Sequence, residues 1–165
     1  MLIQTHRPKR LVFLGDTFDD VGGLKRLSDE DRRALNDMIQ YREVIWVLGN
    51  HDPLPQGVLP GLITQEFETD GYLFRHEADP AHKGPMIEVS GHFHPVAKVQ
   101  VRGTVLRRAC FVEAGHRLIL PALGAYTGGL NVLTPAFAPL ELGAFVVHVL
   151  GHDKVYTLPM ECLVA

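Results

Sequence analysis

The sequence predicts an α/β domain, because three of its features place strands and a helix in a recognisable order. Two short apolar runs, residues 11–14 and 44–48, have the length and composition of buried strands. Residues 28–39, between them, carry the signals of a helix. Beyond residue 98 the pattern changes to the period-two alternation of strands with one solvated face. This order implies parallel pairing in the first half and a mostly antiparallel second half.

Length and composition predict one globular domain, residues 1–165, since 46% of the 165 residues are hydrophobic. The formal net charge of −3 neither predicts nor excludes a nucleic-acid partner. Two cysteines, Cys110 and Cys162, do not form a disulfide framework and favour a reducing, cytoplasmic location. The apolar run at residues 11–14 is too short for a signal peptide core or a membrane span.

The first half reads as strand, helix and strand. The strand at residues 11–14 ends in Gly15 and Asp16. Ser28 and Asp31 form a capping box for a helix through about Ile39. The strand at residues 44–48 then ends in a polar segment that contains Gly49, where the chain can turn sharply.

The second half reads as short strands joined by turns. Gly103 predicts a tight hairpin turn, and residues 151–154 carry the signature of another. Residues 53–61 and 123–131, rich in Pro or Gly, are predicted loops. The remaining apolar or alternating runs are predicted strands: residues 72–74, 86–90, 99–101, 105–112, 117–120, 145–150 and 155–158.

Several predicted strands end in side chains that bind metals. A core histidine explains any one of them, but four such strand ends in one short chain predict a metal site. Side chains two residues apart on an extended backbone point the same way, so in the bend after Gly91 both histidines of the last pair would face one cluster. The mixture of carboxylate, amide and imidazole suits Mn, Fe or Zn. The residues are Asp16, Asn50 with His51, His76, and His92 with His94.

These motifs resemble those of a known family. Gly15-Asp16, residues 49–52, His76 and residues 91–94 are similar to the signature of the calcineurin-like metallophosphoesterases, over residues 11–94. Within that superfamily, residues 75–77, 91–95 and 120–132 resemble the ligase-associated DNA-damage-response endonucleases of the PdeM type.

The resemblance implies a four-layer α-β-β-α sandwich and a two-metal phosphodiesterase or nuclease, in which a metal-bound hydroxide attacks phosphorus. Manganese is the first expectation for the metal, with iron or zinc as alternatives. Asp16 would bridge both ions, and His94 would serve one of them. Asn50, His76 and His92 would complete the other ion's shell. His51 would act on the phosphate or the leaving oxygen, with Asn50 as a further phosphate contact.

One departure from the family pattern concerns the N-terminus. The family carries an Asp-x-His motif upstream of Gly-Asp, whereas residues 1–15 contain none. We therefore expect a fold that lacks its first strand and helix, one tightly bound ion, and a sheet edge open to pairing in a homo-oligomer. The alternative function is a metal-binding interaction module with impaired catalysis.

Further candidates have two interpretations each. Residues 127–129 either bind phosphate through backbone N–H groups or form a turn. Asp52 either orients His51 or supports its turn, and Asp19 and Asp20 either support the site or are solvated. His152-Asp153 is interpreted as part of a hairpin. Five basic residues form either a nucleic-acid strip or a solvated sheet face, which is favoured: Lys98, Arg102, Arg107, Arg108 and Arg117.

Overall fold

The computed structural model describes residues 2–18, 20–51, 60–124 and 127–165. The chain divides into two compact units. The first unit comprises Met1–Phe67 and Phe74–His76, and the second comprises Glu68–Leu73 and Glu77–Ala165. Strands β4 (Glu66–Thr69) and β5 (Tyr72–Arg75) contribute residues to both units.

The first unit contains a parallel sheet with strand order β1-β2-β3: Arg10–Leu14, Glu43–Val47 and Leu62–Thr64. Its helices are α1 (Leu2–His6), α2 (Gly23–Arg26) and α3 (Asp29–Ile39). The predicted strand–helix–strand order and its parallel pairing are confirmed. In β1 and β2 the register matches the last residues, Leu14 and Val47, so that both strands end at the same level.

Helix α3 begins where the capping box predicts. The Ser28 side chain accepts a hydrogen bond of 3.1 Å from the backbone N–H of Asp31. Such a cap satisfies one of the unpaired N–H groups of the first turn. Three acidic residues in that turn, residues 29–31, also interact favourably with the positive end of the helix dipole.

Trp46 holds the core of the first unit together. Its ring stacks on Phe13 of β1 at a centroid distance of 4.3 Å, and its Nε1 donates a 2.8 Å hydrogen bond to the carbonyl of Pro60. The buried cluster also includes Phe18, Leu24, Ile39 and Val44. Packing between neighbouring strands and α3 therefore fixes the positions of the strand ends.

The second unit is built around a mixed sheet with strand order β10-β7-β8-β9-β6-β5-β4, and β11 pairs with both β8 and β12. Most of its pairs are antiparallel, as predicted, but β6–β9 and β10–β7 are parallel. Short 3-10 helices span Pro135–Leu140 and Met160–Cys162. The remaining strands are β6 (Ile87–Ser90), β7 (Pro95–Val101), β8 (Thr104–Ala114), β9 (Arg117–Ile119), β10 (Leu130–Asn131), β11 (Val146–Leu150) and β12 (Val155–Pro159).

The two predicted hairpins are confirmed. Strands β7 and β8 are joined by Arg102 and Gly103, which both have positive φ, and β11 pairs antiparallel with β12 around residues 151–154. Strands β3 and β4 were not predicted, and β10 occupies the end of the predicted loop at 123–131, where the prediction was wrong. Most of the predicted loop at 53–61 lies outside the described residues. The α/β fold class is confirmed. Among the described residues, no helix has the length and apolar character needed to cross a membrane.

Candidate metal centre

Asp16 lies directly after β1, in a turn with unusual backbone angles. Gly15 has φ +82° and Asp16 has φ +48°. Aspartate is one of the few non-glycine residues that adopt this left-handed region, and such backbone strain often occurs at functional sites. The turn ends the strand abruptly and presents the Asp16 carboxylate at the carboxyl end of the parallel sheet.

Two glycines permit the close approach of neighbouring segments around this carboxylate. A Cβ added to Gly49 would overlap the carboxylate and the backbone nitrogen of Asp16. A Cβ added to Gly15 would lie 2.5 Å from Nδ1 of His76, far inside van der Waals contact. Glycine is therefore required by space at both positions, which explains the Gly-Asp and Gly-Asn pairs of the sequence motifs.

His76 is the buried member of the centre, with 8% of its surface exposed. Its Nδ1 lies 2.7 Å from the backbone carbonyl of Leu14. Because a carbonyl can only accept, Nδ1 carries a proton and donates to it. The other ring nitrogen, Nε2, lies 2.9 Å from Oδ1 of Asn50 and 3.1 Å from Oδ2 of Asp16.

This arrangement brings lone pairs together. With the proton on Nδ1, Nε2 of a neutral imidazole carries a lone pair that faces the amide oxygen and the carboxylate oxygen. Either a second proton on the ring or a cation among the three atoms relieves their repulsion. A carboxylate, an amide oxygen and a neutral imidazole nitrogen are also a common ligand set for Mn, Fe or Zn. Asp16, Asn50 and His76, hereafter the Asp16 cluster, therefore fit a divalent metal.

His51 supports the cluster through its backbone. Its N–H donates a 2.8 Å hydrogen bond to Oδ1 of Asp16, while its side chain is exposed. The carboxylate is thus oriented by a backbone N–H, which a substitution such as His51→Ala would leave in place. Asp52, the predicted support for His51, lies outside the described residues.

His92 and His94 belong to the second unit, in the segment between β6 and β7. Their φ values are +61° and +45°, so the extended-backbone argument for their common direction does not apply to this segment. Only residues 91–94 separate β6 from β7. Nε2 of His92 lies 3.8 Å from Oε1 of Glu77, a neighbour that the sequence pattern did not indicate.

Asp20 stabilises a turn. Its Oδ1 accepts hydrogen bonds of 2.7 Å from the Gly22 N–H and 2.9 Å from Nη1 of Arg26, and its Oδ2 accepts one of 2.6 Å from Nη2. Hydrogen bonding by Arg26 and then by the Gly22 N–H lowers the pKa of Asp20 below its usual value. Asp19 lies outside the described residues.

The proposed basic strip is not continuous. Arg117 has only 7% of its surface exposed and forms an ion pair with the buried Glu88. Arg107 and Arg108 are consecutive in β8, so their side chains leave opposite faces of the sheet. The solvated-face interpretation therefore holds for part of the set. Arg117 belongs to neither a basic strip nor a solvated face, because it is buried.

The parallel-strand turns and the convergent donor set define a metal-binding α/β protein. Residues 2–117 match the sequence profile of the calcineurin-like phosphoesterases. The chain belongs to the calcineurin-like phosphoesterase family, which is metal-dependent, and the resemblance seen in the motifs is confirmed at that level.

The structure is similar to that of the Pseudomonas putida nuclease MPE. The TM-score is 0.70 at 25% identity, with 95% of this chain and 75% of that chain covered. Vacuolar Protein Sorting 29 from Cryptosporidium parvum gives a TM-score of 0.42 at 16% identity, covering 96% of this chain and 83% of that one. A comparison with curated proteins found no match.

Proposed function

We propose that this chain is a metal-dependent phosphodiesterase that cleaves nucleic acid, with DNA as the expected substrate. The observation that carries the proposal is the meeting of Nε2 of His76 with the Asn50 and Asp16 oxygens at 2.9 and 3.1 Å. A folded chain retains such lone-pair crowding at a cost unless a cation is bound or the ring takes up a second proton. Membership of the phosphoesterase family and the similarity to a nuclease support the reaction and substrate class.

The ligand assignment extends the Asp16 cluster. In the proposal, Asp16, Asn50, His76 and His92 hold one divalent ion, with Mn²⁺ expected, and residues 1–165 act as one domain. Asp16 and His94 hold a second ion more weakly, because they supply fewer ligands. A bound divalent metal supplies Lewis-acid polarisation of the phosphate and activation of water.

The chain's own residues orient the reacting groups. The His51 N–H and the turn at Gly15 fix the Asp16 carboxylate, and the carbonyl of Leu14 fixes the ring of His76. Asn50 provides a polar contact to the phosphate. The exposed His51 side chain donates a proton to the leaving oxygen as the P–O bond breaks, which is general acid catalysis.

The proposal also includes pairing between two copies of the chain. Strand β1 is the outermost strand of the described β1-β2-β3 sheet. A strand in that position presents backbone groups to another strand, and a second copy of β1 is the simplest partner. A cytoplasmic location fits the cysteines Cys110 and Cys162, which are not in a disulfide.

The test is Mn²⁺-dependent hydrolysis of bis(p-nitrophenyl) phosphate and of a DNA oligonucleotide by the whole chain. We expect activity that EDTA removes and Mn²⁺ restores. Asp16→Asn should remove it, whereas Asp37→Asn, an exposed carboxylate on α3, should leave it unchanged. Absence of turnover by the wild-type chain with Mn²⁺, Fe²⁺ or Zn²⁺ would refute the phosphodiesterase proposal.

A further inference from the structure

A small cavity lies in the second unit, at the start of β7. Its volume is about 150 Å³, and its lining includes His94, Arg107, Gly124, Thr127 and Gly128. His94 lies in the turn before β7, Arg107 lies on β8, and the other three belong to the Gly-rich loop before β10. The cavity therefore joins the metal-ligand segment to a basic face of the sheet.

One side of the cavity carries a positive charge. Arg107 is exposed, and Nη2 donates a 2.6 Å hydrogen bond to the carbonyl of Gly129. Among the described residues, this is the one hydrogen bond that its guanidinium donates, although the group has five N–H donors. No carboxylate is present among the described residues of the lining.

Lys98 adds a second cation on the same face. It lies directly opposite Arg107 in the antiparallel β7–β8 register. Like charges in directly opposed positions destabilise a strand pair, so this pair has an unfavourable interaction that a bound anion would relieve. The next residue, Arg108, is opposite Ala97 and leaves the other face.

The walls of the cavity are tied together by hydrogen bonds. The hydroxyl of Thr127 donates to the carbonyl of Gly124 at 2.9 Å. The N–H of Leu130 donates to the carbonyl of His94 at 3.2 Å. Together with the bond from Arg107 to Gly129, these contacts hold the loop beside both His94 and the guanidinium. The cavity is thus a structured concavity.

We propose that this cavity binds a backbone phosphate of the nucleic-acid strand other than the phosphate that is cleaved. The proposal rests on the proposed function, because it assigns a polynucleotide substrate to that reaction. Arg107 binds the phosphate oxygens through its unused donors, with Lys98 as a supporting charge. A substrate with a single phosphodiester has no second phosphate to offer the cavity, so the cavity selects for polynucleotides.

The experiment compares two substrates and three variants. Arg107→Ala should raise KM for a single-stranded DNA oligonucleotide about tenfold or more, since one charge-assisted contact is lost. Its slope of log affinity against log salt should fall by about 0.7. kcat/KM for bis(p-nitrophenyl) phosphate should not change. Arg107→Lys should recover part of the loss, and Arg108→Ala, the neighbour on the opposite face, should resemble the wild type.

Two results would overturn the subsite. Equal losses on both substrates in Arg107→Ala would mean that Arg107 only braces the loop through Gly129. Unchanged KM and salt slope for the oligonucleotide would mean that the cavity does not bind its backbone. If the wild-type chain hydrolyses neither substrate, the proposed function fails. Binding of a fluorescent oligonucleotide then decides the subsite separately: weaker binding by Arg107→Ala supports it, and equal binding refutes it.

Discussion

Each unit contains a polar cluster with at least one buried member, and the two clusters differ in how their charges and hydrogen bonds are matched. In the second unit, Arg117 Nη1 donates to Glu88 Oε2, and Nη2 donates to the carbonyl of Asp79 at 2.7 Å. Oε1 of Glu88 accepts a 2.9 Å bond from the Asp79 N–H. Every one of these contacts joins a donor to an acceptor, and the pair of opposite charges is complete within the unit.

The Asp16 cluster of the first unit lacks that complementarity. Nε2 of His76 faces two oxygens, at 2.9 and 3.1 Å, after its other nitrogen has donated to Leu14. The comparison teaches that burial of polar groups alone does not mark a functional site. The Glu88–Arg117 cluster is internally satisfied and therefore structural, whereas the Asp16 cluster has an arrangement that a cation, or a second proton on His76, would stabilise.

The largest expected effect comes from breaking the Asp16 cluster. His76→Ala should lower phosphodiesterase activity on the order of a thousandfold. The metal would lose a ligand, and the negative charge of the transition state would lose the cation that stabilises it. The metal content of the purified chain should fall with it. Activity assays and elemental analysis check both. His152→Ala, which removes an exposed hairpin histidine, should retain metal and activity; retention of both by His76→Ala would contradict the assignment.

A smaller but more selective loss is expected at His51. His51→Ala should lower activity about a hundredfold or more, as for loss of a general acid, while metal content stays that of the wild type. The reason is that the cluster uses the backbone N–H of His51, which the substitution keeps. Elemental analysis of the active fraction makes the distinction. A parallel loss of metal would show that the side chain is a ligand.

Substitutions in the Glu88–Arg117 cluster should lower the stability of the fold and leave the activity of each folded molecule unchanged. Arg117→Met leaves the Glu88 carboxylate buried without its main partner, and we expect it to lower the free energy of unfolding by about 3–5 kcal/mol. Urea denaturation of the metal-free chain measures this change. The double variant Glu88→Leu with Arg117→Met should recover much of the loss. A double variant as unstable as the single one would contradict this explanation, because the loss of stability would then not come from the unpaired Glu88 charge.

The smallest effect concerns the two thiols. Burial raises the pKa of Cys110 to about 12 from its ordinary value of 9.0. The stability that comes from keeping this thiol protonated is complete below pH 9 and is lost as the pH rises towards 12. At pH 8 a thiol reagent should modify Cys162, which is exposed, and reach Cys110 only after unfolding. Mass spectrometry of native and urea-treated chains checks this; rapid double labelling of the native chain would contradict it.

Much of the first unit follows from local sequence. Ser28 fixes the start of α3 through one hydrogen bond, and the apolar runs define β1 and β2. The placement of Asp16 and Asn50 at neighbouring strand ends follows from parallel pairing. Strand β3 could not be predicted, because Leu62–Thr64 is only three residues long and follows a Pro-Gly pair.

Features that depend on distant partners were beyond the sequence. The sequence predicts Arg117 as an exposed cation, because its partner Glu88 is 29 residues away in the chain. The spacing of His92 and His94 suggests an extended segment, whereas both residues have left-handed backbone angles, which the sequence pattern does not reveal. The pairing of Arg107 with Lys98, which defines the proposed phosphate subsite, depends on the β7–β8 register.

The central claim is that the Asp16 cluster holds a divalent cation. The most direct measurement is elemental analysis of the chain after incubation with Mn²⁺ and exhaustive dialysis, beside Asn50→Leu, which removes one oxygen of the cluster. The account predicts about one ion per wild-type chain, as one clustered ligand set allows, and much less in the variant. A wild-type chain that retains no metal, or a variant that retains as much as the wild type, would contradict it.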